Sequence, residues 1–248
     1  MISQFRDMAR TTAVLLVIWQ GAIWLFAPPR YIFPSPLDVL AAFQRQPEFL
    51  LSNSLVTLTE ILLGFVLGVS FGALSALAMA AFPKLGRLVW PALLVLQAFP
   101  VFVIAPLLVV WFGFGIASKV IMAMIIIFFP VTSAFADGLR RTDPYLIDAA
   151  ALTTATHWQT LLYVRMPLAM PGLLSGLRVA APLAPLGAVI GEWVGASSGL
   201  GFVMVQANAR MQTDTVFAAM AVLAILSLAL RHLVDQLAPR LIPWANDQ

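Results

Sequence analysis

Apolar runs separated by short polar joints set the pattern of this chain. The runs fall at 11–27, 54–82, 89–112, 119–136, 170–193 and 214–230. Each is close to the about 20 residues that a helix needs to cross the hydrocarbon of a bilayer. Barrel strands would instead alternate apolar and polar positions over about ten residues, and no such alternation occurs. The pattern predicts an all-α, polytopic membrane protein with about six transmembrane helices. Residues 1–248 read as a single transmembrane domain, divided into an N-terminal span with an external linker (1–53) and a five-helix core (54–236).

Finer features distinguish the runs. Arg6 and Arg10 precede the first, and Pro28-Pro29 follow it with no small-residue cleavage pattern, so it is read as a retained span and not a cleaved signal. The proline-rich linker 28–53 has room for one helix lying on the membrane surface. In the second run Gly64, Gly68, Gly72, Ala76 and Ala80 recur every four residues, a stripe of small side chains that lets another helix approach closely. Glu60 in the same run is expensive in lipid and is expected to face protein or water. Residues 83–87 read as a tight basic turn. The third run carries Pro91, Pro100 and Pro106, which predicts a bent or broken helix packed on protein or lining a cavity. The fifth contains Pro171, Pro182 and Pro185 and ends at Glu192; residues 194–213 read as an external loop with a shallow helix.

One stretch breaks the apolar pattern: DPYLIDAAALTTATHWQTLLYVRMP, residues 143–167. Asp143-Pro144 is a helix start, with the capping carboxylate before a proline at the first helical position, and that helix is expected to run to about Leu152. Thr156 and Gln159 have capping-box spacing, so a second helix is expected from His157. Trp158, Leu161 and Leu162 share one face. The pattern alone allows that face either to lie on the bilayer surface or to dock into a protein groove.

Charge orients the runs. Of the fourteen basic residues, Arg30, Arg45, Lys119 and Arg210 fall in joints on one side, leaving ten for the other, which also holds the N-terminus. The positive-inside bias then puts both termini and residues 143–167 in the cytoplasm. Composition agrees with a membrane protein: 61% of residues are hydrophobic and 10% charged. The absence of Cys excludes thiol chemistry and disulfides. There is no phosphate-binding loop, no nucleophile elbow and no His spacing for a metal, so no catalytic or metal-binding residues are assigned. An ion-coupled carrier and an intramembrane enzyme are the other classes to weigh. The nearly charge-free mid-span regions disfavour the first, and the enzyme lacks nameable site residues.

DAAALTTATHWQTLLYVRMP resembles the cytoplasmic loop of permease subunits of ATP-binding-cassette (ABC) importers, which begins Glu-Ala-Ala, has Gly after three intervening residues and closes near a Leu-Pro pair. Asp148-Ala149-Ala150 matches the start with Asp for Glu, and Val164-Arg165-Met166-Pro167 the end; Thr154 stands where the family has Gly. FPSPLDVLAAF, SLVTLTEILLGFVLG and GASSGLGFV extend the likeness along the chain, towards the subfamily importing taurine, alkanesulfonates, nitrate or pyrimidine precursors of thiamine. GEWVGASSGLGFVMVQANARMQTDTVFAAM is most similar to the pyrimidine-precursor branch.

The resemblance implies a type I importer permease in a bacterial inner membrane, working as a homodimer. It implies cytoplasmic ATPase subunits that hold ATP and Mg, no cofactor on this chain, and an external substrate-binding protein. Asp148, Ala149, Ala150, Thr154, Trp158 and Pro167 would then couple to the ATPase, with Pro167 ending the coupling segment. Gln97, Phe99, Pro100 and Glu192 are the candidate residues of the translocation path.

Overall fold

The computed structural model describes residues 2–245, all helices and connections. The helices are α1 (Ile2–Phe26), α2 (Pro36–Arg45), α3 (Pro47–Ala81), α4 (Pro83–Ala98), α5 (Ala105–Phe112), α6 (Ile116–Arg140), α7 (Pro144–Leu152), α8 (His157–Thr160), α9 (Met166–Gly195), α10 (Leu200–Ala209) and α11 (Thr213–Leu241). A 3₁₀ turn, Val101–Ile104, precedes α5, and a π turn, Leu161–Arg165, joins α8 to α9. Pro47–Ala81, Ile116–Arg140, His157–Gly195 and Thr213–Leu241 are each long and apolar enough to cross a membrane, and the α4–α5 pair adds a fifth, broken span. The sixth expected span corresponds to the shorter apolar segment Arg10–Phe26 of α1.

The core is built on α3, α6 and α9, and α6 against α9 is the most extensively packed pair. The small-residue stripe performs the close approach its spacing predicts. A Cβ on Gly64 would lie 2.5 Å from that of Ala123, and Gly68 and Gly72 meet Ile127 and Val131 in the same way. Thr132 then donates to the carbonyl of Gly72 across the same seam at 3.2 Å. Ile61, Ala123, Ile127, Val131, Ala180 and Ala184 are buried together where the three helices meet. α11 closes one side, held to α9 by Asp235, which accepts from Arg178 at 2.8 Å and from Arg231 at 2.9 Å.

One expectation changes and three gain detail. Residues 83–87 are not a turn: Phe82 alone separates α3 from α4, and Pro83 starts the next helix. This reversal is possible because Gly86 lies against Met79, whose carbonyl would be 2.8 Å from an added Cβ. The third run breaks at Phe99-Pro100, and its two halves diverge by 86°. Proline forces the preceding residue into extended backbone, and Phe99 has ψ 133°. Lys119, assigned by its charge to the external end of the fourth run, is buried, its ammonium donating to the carbonyls of Phe114, Gly115 (3.0 Å) and Gly195 (2.6 Å). It satisfies the C-terminal end of α9, where a cation is favoured. Finally, α10 packs into the bundle. Leu200, Val203 and Ala207 are buried, in contact with α9 and α11.

Candidate functional site

The segment 143–165 stands out from one end of the bundle. Its helix starts are those its residues specify: Asp143 accepts from the amide of Tyr145 at 2.9 Å with Pro144 next to it, and Thr156 and Gln159 form a reciprocal capping box, with bonds of 2.8 and 3.3 Å. α7 buries none of its residues. Tyr145 is 82% exposed, Leu152 88% and Tyr163 78%. Asp148 and Ala149 are exposed on this helix and Ala150 is half-buried. Ala149, Ala150, Thr154, Gln159 and Tyr163 line a groove of about 610 Å³ between the two helices. The second helix is anchored to the bundle. The His157 ring sits 3.1 Å from the carbonyl of Ala81, and Trp158 meets Phe82 edge-on at 5.8 Å.

Thr154 has φ +60°, the left-handed conformation that β-branched residues resist. The amide of Ala155 donates to Ala150 at 3.4 Å and that of Thr154 to Ala151 at 3.2 Å. These two bonds make a complete Schellman ending to α7, with threonine at the position glycine normally fills. The turn therefore keeps the glycine-type shape at the wrong residue. Thr154→Gly is expected to stabilise it by about 1 kcal/mol, the order of the left-handed penalty. Amide exchange at residues 154–155 should slow about fivefold as a result; unchanged or faster exchange would show that the threonine is unstrained.

Pro167 does not end the segment. α8, the π turn and α9 form one helical run, His157–Gly195. The amide of Met166 reaches back five residues to Leu161. An α-helical path would set the Pro167 ring against the carbonyl of residue 163, and widening the turn avoids the clash.

The broken span opens a cleft of about 860 Å³ bounded by α3, α4, α6 and α9. Phe71, Leu93, Phe128 and Leu183 give it apolar walls, and Gln97, Ser133 and Asp137 supply its polar groups. Gln97 thus lies on the cleft, and Phe99 and Pro100 form the break beside it. Glu192 does not face it. Its carboxylate is buried, accepting from Thr57 at 2.6 Å and from the amide of Gly201. Asn53 and Thr57 bind the amides of Gly199 and Leu200, both at 2.7 Å. Together these groups tie the glycine-rich loop to α3 and α9. Glu60 is buried beside them, facing protein as its cost in lipid requires.

Comparison with known proteins decides the family. The model of the binding-protein-dependent transport system inner membrane component matches residues 68–245. The chain belongs to that family of ABC importer permeases. A probable ABC transporter permease protein of Haemophilus influenzae is 48% identical over 94% of each chain. The riboflavin transport system permease RibX of Chloroflexus aurantiacus is 36% identical, over 94% of this chain and 88% of its own. The formylaminopyrimidine transport permease ThiX of Halalkalibacterium halodurans is 34% identical, over 95% and 94%. A solved structure of the MetNI methionine ABC transporter in inward-facing conformations has a TM-score of 0.65. It is 21% identical and covers 78% of this chain and 96% of that one, a likeness of fold.

This permease is therefore an integral inner-membrane protein that takes part in importing small solutes and is not itself catalytic. Membership implies association with an ATPase and a substrate-binding protein. Sequence reasoning missed the polar network of Asn53, Thr57 and Lys119. A signal was present: Asn53, Thr57 and Glu60, spaced four and three apart, put three polar groups on one face of an otherwise apolar helix.

Proposed function

We propose that two copies of this permease form the membrane path of an ATP-driven importer for a small heteroaromatic solute bearing a pyrimidine-type ring. The observation that carries the energy-coupling part is α7: it presents Tyr145, Asp148, Ala149 and Leu152 to solvent beside a groove, exposed among the described residues. An exposed apolar helix face of this kind suits docking into a groove on another protein. On this reading ATPase subunits holding ATP and Mg receive the segment through Asp148, Ala149, Ala150, Thr154 and Trp158. Both termini and residues 143–167 lie in the cytoplasm. The π turn before Pro167 carries the push directly into α9.

The cleft at the broken span is the permease's share of the path. Gln97 offers an amide that can both donate and accept, and Phe99 and Pro100 mark where the wall bends. Glu192 is left out, because its carboxylate is committed to the loop. The copies meet through the exposed apolar faces near the break, where Phe102, Val110 and Trp111 lie open. Two named relatives support the substrate class: one carries a formylaminopyrimidine and the other riboflavin, and both molecules contain a pyrimidine-type ring. Sulfonate, taurine or nitrate import by the same machinery is the alternative.

Reconstituted with its ATPase and binding protein, the permease should take up labelled formylaminopyrimidine or riboflavin only with ATP. Gln97→Leu should raise the half-saturating concentration or lower the rate at least about threefold, as expected from loss of one neutral hydrogen bond. Uptake that persists on an ion gradient without ATP would overturn the coupling, and binding of taurine but neither heterocycle by the partner binding protein would overturn the substrate class.

A further inference from the structure

Three arginines from separate elements meet in a second cavity that the transport reading does not use. Arg87 of α4, Arg140 at the last position of α6 and Arg165 at the end of the π turn line a space of about 410 Å³. Its other walls are Ala76, Met79 and Ala80 of α3, with Pro83, Trp90 and Pro91 of α4. No carboxylate residue is among the lining groups. Among the described residues neither Arg87 nor Arg165 has a carboxylate within ion-pair distance, and Arg140 has only Asp137 at the 4.0 Å limit.

The guanidinium groups are held in place. Arg165 donates twice to the carbonyl of Leu139, at 3.2 and 2.8 Å, which spends part of its fork and fixes the remainder. Arg140 lies over the Trp90 ring, 4.3 Å from its centre. The Trp90 ring in turn stacks on Phe129 at 6.5 Å. Arg87 makes no recorded bond to protein and is exposed at the rim. The protein thus gathers three positive charges around one cavity with Asp137, at the 4.0 Å limit from Arg140, as the one partial counter-charge among the described residues, at an electrostatic cost that an anion would reduce.

We propose that this cavity binds the phosphate of an anionic phospholipid. The shared chemistry is a phosphate anion gripped by arginine forks. Two features favour a lipid as its source over a soluble phosphate. Arg140 ends α6, Arg165 ends the π turn and Arg87 lies in the second turn of α4, and basic pockets between helices near the ends of their spans take lipid headgroups. The remaining wall is apolar, with Ala76, Met79 and Ala80 of α3 facing Trp90, an amphipathic ring of the kind that favours the membrane interface. A free phosphate has no use for that wall; a glycerol backbone and the first methylenes of an acyl chain do. The site joins α3, α4, α6 and the π turn. A bound lipid would brace the hinge between the coupling segment and the broken span.

Native mass spectrometry of the purified chain, titrated with phosphatidylglycerol or phosphatidylcholine, tests this. The anionic lipid should bind at least about tenfold more tightly than the zwitterionic one. Each arginine near the surface is worth about a fivefold change, so Arg87→Gln should weaken binding about fivefold and the Arg87→Gln, Arg140→Gln pair about 25-fold. Arg87→Lys should keep most of the affinity, and Arg210→Gln, at the far end of the bundle, all of it. Arg87 holds no internal bond, so its loss leaves the fold intact. Equal binding of the two lipids, or unchanged binding in the double variant, overturns the proposal. Displacement of the bound lipid by millimolar inorganic phosphate reassigns the cavity to a soluble compound. Loss of the lipid when the ATPase partner is added shows instead that the arginines serve that protein.

Discussion

Asp148→Arg is expected to abolish both uptake and association with the ATPase partner, while the protein remains folded and inserted. Asp148 lies on α7, a helix that buries nothing, and it makes no recorded bond to its own chain, so the fold has no stake in its charge. Its neighbours on the segment, Tyr145 and Leu152, are open for docking. Reversing a charge inside a docked contact opposes like charges or strands one unpaired. Such changes cost about 2–5 kcal/mol, a loss of about thirtyfold to several thousandfold in association. Asp148→Glu, which restores the carboxylate on the family's longer side chain, should keep transport. The measurement is co-purification of the ATPase together with uptake in vesicles. Wild-type recovery of both in the arginine variant would remove the segment from its proposed coupling role.

Gly187→Leu should have the largest effect on the fold itself. Gly187 lies in α9 where that helix crosses α6, and an added Cβ would sit 2.5 Å from the Cα of Ala123. The obstacle is backbone, which cannot swing aside as a side chain can. Two packed helices would have to separate along the seam that also brings Ala123 against Gly64 of α3. Overpacking a well-filled core costs about 1–3 kcal/mol, and a contact with the main chain lies at or above the top of that range. Folded protein recovered in detergent, read as a monodisperse chromatographic peak, should fall sharply. Gly21→Leu is the matched control, since among the described residues no atom beyond its own helix backbone and chain neighbours lies within 4 Å of a Cβ at Gly21, and its yield should match the wild type. Normal yield of Gly187→Leu would mean that α6 and α9 are not in this close contact.

Much of the candidate site was legible because its signals are local. Asp143 and Pro144 specify the start of α7 within three residues, and Thr156 with Gln159 specify the start of α8 within four; both caps form with the partners expected. The break at Phe99-Pro100 follows from the fixed φ of proline and the constraint on the residue before it. The stripe Gly64, Gly68, Gly72 reports its use through spacing alone. Thr154 is the instructive intermediate case. The family pattern marks it as an unusual residue, and the backbone shows that the residue yields to the turn, adopting φ +60°. The bonds of the Schellman ending, together with the helices on either side, outweigh a local penalty of order 1 kcal/mol.

Helix boundaries were less legible, since an apolar run does not state where it stops. α3 begins at Pro47, inside the expected linker, and α11 continues to Leu241, past the end of the sixth apolar run at 230. Arg231 does not end the helix because Asp235, one turn on, and the carbonyl of Arg178 receive its guanidinium.

By itself the sequence determined that this chain spans a membrane, which positions start and break its helices, which face of α3 takes a neighbour, and which segment carries the likeness to a permease coupling loop. Each follows from covalent geometry, capping or periodicity, forces that act within a few residues. Only the tertiary structure decided the fate of the buried charges. Thr57 and Glu192 meet across 135 positions of chain. Lys119 finds a carbonyl 76 positions away. A carboxylate or ammonium in lipid must find a partner, but the sequence names the need and not the partner. Packing of α3, α6 and α9 supplied it, turned Glu192 away from the cleft and buried Lys119, and the fold set Arg87, Arg140 and Arg165 around one cavity with Asp137 alone near them among the described carboxylates.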